Sequence, residues 1–112
     1  MYKLTNKIFS IMRKNAFENL INDQLLICSS VYNSDENFEK YTKSIKMKKN
    51  TWIDFDFMYP TFNGSCWCIT VLYDDGSYTR RRMFSVNVDV KNDGSNDLDI
   101  DSLYERYKQI SR

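Results

Sequence analysis

The chain has 112 residues, 42% of them hydrophobic and 28% charged, and its 16 basic and 15 acidic side chains leave a net charge of +1. That composition describes one folded domain, spanning residues 1–112, with enough apolar mass for a core, and it excludes a disordered chain. The near-neutral balance also excludes a dedicated duplex-DNA binder, whose affinity comes largely from phosphate contacts and needs a clear basic excess.

Residues 1–15 carry Lys3, Lys7, Arg13 and Lys14, so no uninterrupted apolar run exists there for a secretion signal. No window reaches the roughly 18 apolar residues of a membrane-spanning helix. The three cysteines, Cys28, Cys66 and Cys68, are an odd number in a chain without an apparent leader, which fits reduced thiols. The expectation is a soluble cytoplasmic protein with no membrane partner.

In chain order, apolar residues at Leu4, Ile8, Ile11, Met12, Phe17, Leu20 and Ile21 follow a helical spacing, with Thr5 or Asn6 available as a cap. Asn22 and Asp23 are read as the end of that helix. Residues 24–32 (Q-L-L-I-C-S-S-V-Y) suit either a short buried strand or more helix; periodicity does not separate the two over so short a run, and the strand is the reading adopted. Ser34 is placed to cap a second helix, with Asp35 and Glu36 in its first turn, where the helix dipole favours negative charge. Phe38, Tyr41 and Ile45 would form its apolar stripe, Lys40, Lys43, Lys46, Lys48 and Lys49 make the segment basic, and residues 46–50 are a polar connection into the sheet.

Residues 51–90 organise the rest. Large apolar and polar residues alternate there, broken by turn signals at residues 60–64 and at Asp74-Asp75-Gly76. This predicts an antiparallel meander of three strands, with a fourth segment beyond Phe84. Setting Tyr59 opposite Ser65 pairs Phe57 with Trp67, Phe55 with Ile69 and Ile53 with Val71, a solid apolar face for helices to cover. The other face carries Trp52, Asp54, Asp56, Met58, Cys66, Cys68, Thr70 and Leu72, with Tyr78 and Phe84 as possible additions. A three-residue loop at Asp74-Asp75-Gly76 sets Arg80 and Arg82 beside Asp54 and Asp56, whereas a two-residue loop sets Arg81 there. Val86, Val88 and Val90 continue the alternation past a bend near Ser85. Residues 92–96 (N-D-G-S-N) form a loop, and residues 97–111 form a final helix with Asp97, Asp99 and Asp101 at its start and Leu98, Ile100, Leu103, Tyr104, Tyr107 and Ile110 on its apolar face. The fold class is therefore α+β: a three- to four-stranded antiparallel sheet with an N-terminal helix or helices and a C-terminal helix packed on one face.

The chemistry available is narrow. The chain contains no histidine, which removes the commonest general base and every Ser-His or Cys-His nucleophile arrangement. Its three glycines all sit in turns, so no phosphate-cradling loop exists. Cys66 and Cys68, two apart on a strand, lack the C-x-x-C turn of zinc and redox sites, and no metal or cofactor is expected. Asp54 and Asp56 share a face, and facing arginines make them a cross-strand charge ladder rather than a general acid–base pair. Aromatic and Met side chains beside Arg and Asp have the composition of a protein-binding patch. The residues assigned to it are Trp52, Asp54, Asp56, Met58, Arg80, Arg81 and Arg82, with the acidic group Asp97, Asp99 and Asp101 suited to a basic partner surface.

The expected function is a small, non-enzymatic cytosolic protein that inhibits or neutralises a partner protein. Bacterial toxin-immunity and phage-encoded anti-defence proteins share this general profile, although no motif in the chain marks either family. The alternative is an RNA or single-stranded DNA binder using the lysine segment and Arg80, Arg81 and Arg82 with stacking aromatics.

Overall fold

The computed structural model describes residues 2–77 and 79–111, with side chains from residue 5 onward. Helix α1 (Tyr2–Ser34) is followed by a single 3-10 turn at Phe38–Lys40, strands β1 (Thr42–Lys46), β2 (Thr51–Thr61), β3 (Gly64–Asp74) and β4 (Arg80–Lys91), and helix α2 (Ile100–Ile110). The strands form one antiparallel sheet in the order β1-β2-β3-β4. The α+β meander expected from the sequence is the observed fold.

Helix α1 runs unbroken through Asn22 and Asp23 and through residues 24–32, so the expected stop and the expected strand are both corrected. Phe17, Ile21, Leu25 and Cys28 recur at helical spacing and are all buried in one stripe. Asn22 and Asp23 face solvent on the same helix and interrupt nothing. Gln24, although polar, is buried because its Nε2 donates to the Tyr41 hydroxyl at 2.9 Å.

The second helix expected after Ser34 is also corrected. Asp35 Oδ1 accepts from the Asn37 N–H at 2.8 Å in a local turn, and β1 begins at Thr42. There Ile45 pairs with Ile53 and Ser44 with Asp54, so β1 satisfies the main chain of β2 along its outer side. The fourth strand is thus β1, while residues 80–91 form one continuous strand. Lys49 and Asn50, which turn β1 into β2, both have positive φ (54° and 60°).

Three of the expected cross-strand pairs hold: Ile53 with Val71, Phe55 with Ile69, and Phe57 with Trp67. The fourth does not, because a bulge between Phe57 and Tyr59 sets Tyr59 opposite Cys66 and Pro60 opposite Ser65. Asp74 pairs with Arg80, so the connection between β3 and β4 is longer than either loop expected. A bulge at Val71 and Leu72 then sets Phe84 opposite Val71 and Arg82 opposite Leu72. Phe84 accordingly lies in the core and not on the other face; Tyr78 lies outside the described residues. Helix α2 begins at Ile100, three residues later than expected, because Asp99 caps it by accepting from the Ser102 N–H at 3.1 Å.

Both helices contribute to one core with the inner sheet face, where Ile53, Phe55, Trp67, Ile69, Val71 and Val88 are fully buried. Helix α2 adds Leu103, Tyr104 and Tyr107, and the Tyr104 and Tyr107 rings each lie 4.9 Å from the Phe17 ring. No described helix is long and apolar enough to cross a membrane.

Candidate interaction face

Both helices pack on the inner face, and the register assembles the other face row by row, with Thr70 buried in it and Trp52, Asp54, Asp56, Cys68 and Leu72 half-buried. Lys46, Trp52, Leu72 and Arg82 form the first row, Ser44, Asp54, Thr70 and Ser85 the second, and Thr42, Asp56, Cys68 and Asn87 the third. Trp52 is the centre of the first row. The Arg80 guanidinium lies over its ring at 3.5 Å, and the Lys46 ammonium at 5.7 Å. Arg80 also donates to the Ser44 hydroxyl at 3.2 Å, and Ser44 in turn donates to Asp54 Oδ1 at 2.5 Å. Trp52, Arg80, Ser44 and Asp54 are therefore one connected unit drawn from three strands.

The expected arginine–aspartate ladder takes this less direct form. Among the described residues, no ion pair joins Arg80 or Arg82 to Asp54 or Asp56. Arg82 still acts on Asp56 through space. Burial pushes the Asp56 carboxyl above its usual range, nearby Asp54 pushes it further, and Arg82 opposes both. Arg81 stands opposite Tyr73, on the other side of β4 from Arg80 and Arg82. Met58 lies at the β2 bulge and is 46% exposed.

The acidic residues expected to join this patch are placed elsewhere and have local partners. Asp97 Oδ1 accepts from the Asp89 N–H at 2.8 Å, Asp99 caps α2, and Asp101 pairs with Lys14 of α1 at 2.6 Å, on the helical side of the sheet. The thiols do not converge either. Cys28 is sealed in the core, where burial pushes it up to about 12, whereas Cys66 and Cys68 belong to the opposite sheet face. No group of three or more metal-ligating side chains occurs among the described residues.

Sequence reasoning missed Ser44 and Lys46 as members of this face because it read residues 42–46 as helix and connection. The alternation of Thr42, Ser44 and Lys46 with Lys43 and Ile45 was the available signal. Comparison with protein families, curated proteins and solved structures finds none that matches this chain.

Proposed function

We propose that this chain is a small non-enzymatic binding protein that docks a partner protein on the open sheet face and neutralises it, in the manner of toxin-immunity or phage anti-defence proteins. The observation that carries this reading is the Trp52–Arg80–Ser44–Asp54 unit, a pre-ordered aromatic and guanidinium anchor standing on a rigid sheet that neither helix covers. Tryptophan and arginine contribute most to binding when their positions are fixed before the encounter. The Asp56 carboxylate, on the same face one row further along, supplies a polar neighbour.

The test is affinity capture of the tagged chain from a lysate of its native host, with and without nuclease. The expected result is one protein captured in equal ratio, resistant to nuclease, and lost from a Trp52→Ala, Arg80→Glu variant that still folds. No partner at micromolar concentration overturns the reading.

A second reading rests on a different observation. Lys46 and Arg80 both lie over the Trp52 ring at one end of the sheet, where the Asp74 N–H donates to the Asn50 carbonyl at 2.8 Å and ties the β1–β2 turn to the end of β3. That basic end, with Trp52 in it, would suit RNA or single-stranded DNA. Capture that disappears with nuclease and falls steeply with salt would favour it.

A further inference from the structure

On the helical side of the molecule, a groove of about 580 Å³ runs between α1, the β1–β2 turn and α2. Its apolar wall comes from Ala16, Phe17, Leu20, Met47, Tyr104 and Tyr107. Around that wall stand Arg13, Lys46, Lys48, Lys49 and Lys108, and among the described residues no carboxylate lines it. Lys46 is a rim residue whose ammonium leans over Trp52, and Lys108 is shared with Glu105 at 2.9 Å. Arg13, Lys48 and Lys49 have no ion-pair partner among the described residues.

Two features show that the groove is held in shape. Tyr107, its ring 4.9 Å from the Phe17 ring, lines the groove together with Lys48 and Ser111 and so stands where the end of α2 meets the β1–β2 turn. Lys49 occupies a left-handed backbone position (φ 54°) where glycine or asparagine would be easier, and the turn so formed keeps consecutive lysines on the rim. Grouping like charges with few acids to offset them is unfavourable for the free protein and becomes favourable once an anion is present.

We infer that this groove is a binding site for a small amphipathic anion, a phosphate or carboxylate head on an apolar ring or chain. The volume suits a ligand of that size, the wall takes the apolar body, and the unpaired cations take the head. This site shares only Lys46 with the open sheet face and does not depend on the partner-binding reading.

The experiment is an NMR titration of the full-length isotope-labelled chain with naphthyl phosphate in one arm and octanoate in the other. Naphthol and inorganic phosphate serve as controls that carry only the body or only the head. A saturable response at the amides of Arg13, Met47, Lys48 and Lys108 to either probe is expected, with each control binding about tenfold more weakly or worse. Response to one arm alone assigns the ring-borne phosphate or the chain-borne carboxylate. Lys48→Glu should weaken binding by about tenfold, Lys108→Gln by less, and Lys43→Glu, outside the groove, should leave it unchanged. Absence of a groove response to both probes at millimolar concentration overturns the inference. So does equal binding of naphthol and naphthyl phosphate, or a groove response to protein concentration alone, which would make a second copy the occupant.

Discussion

Asp23→Pro tests whether α1 is truly one helix. Asp23 is exposed and lies more than two turns inside the Tyr2–Ser34 helix, so the substitution removes no packed side chain and acts on the backbone alone. Proline there deletes the hydrogen bond from residue 23 to the Asn19 carbonyl, and its ring collides with that carbonyl; together these cost about 3 kcal/mol in a helix interior. The flanking turns carry Phe17, Ile21, Leu25 and Cys28 into the core, so the helix cannot bend away at this point without uncovering the sheet. A domain of this size has roughly 5–15 kcal/mol of stability, so the variant should remain folded at low temperature. With a urea slope of about 1.5 kcal/mol per molar, its unfolding midpoint should fall by about 2 M relative to Asp23→Ala, which changes the side chain and spares the backbone. If the proline and alanine variants unfold within about 0.5 kcal/mol of each other, the chain breaks at Asn22 and Asp23 as those residue types suggest, and the continuous helix is wrong.

Adjacent residues of β2 should respond very differently. Ile53→Ala, fully buried, should cost about 3 kcal/mol, and Trp52→Ala on the open face about 1 kcal/mol, both read by urea unfolding; equal costs would mean that the open face is covered. A thiol reagent at mildly alkaline pH should modify Cys68 first in the native protein, with Cys28 protected until unfolding because burial holds its thiol neutral up to about 12; prompt labelling of Cys28 would contradict the packing of α1. Asp56 has its folded-state pKa raised, so its ionised form weakens folding at neutral pH, and that penalty is relieved as pH falls through the raised value. Asp56→Asn should therefore stabilise the protein at neutral pH and give progressively less advantage in acid; a constant difference across the range would refute the assignment.

The amino-acid sequence by itself determined the sheet's centre. Alternation in residues 51–72 sets Ile53, Phe55, Phe57, Trp67, Ile69 and Val71 on one side and Trp52, Asp54 and Asp56 on the other, because a strand's period of two leaves no third arrangement. The absence of histidine likewise narrowed the chemistry before any fold was known. Tertiary structure alone decided the rest. Asn22 and Asp23 look like a helix end, yet burial of Ile21 and Leu25 on either side outweighs their weak local preference. Phe38, Tyr41 and Ile45 have a helical spacing, yet β1 forms because the outer edge of β2 offers hydrogen-bonding partners that a helix would leave unused. The bulge at Val71 and Leu72 brings Arg80 and Arg82 to the face of Trp52 and Asp54 and turns Arg81 away, and only the paired strands fix that register. The cationic groove draws on residues as distant as Arg13, Lys48 and Lys108, which no local pattern connects. Local periodicity reports which side of an element is apolar; which elements meet, and so which charges gather, depends on burial and pairing summed over the whole chain.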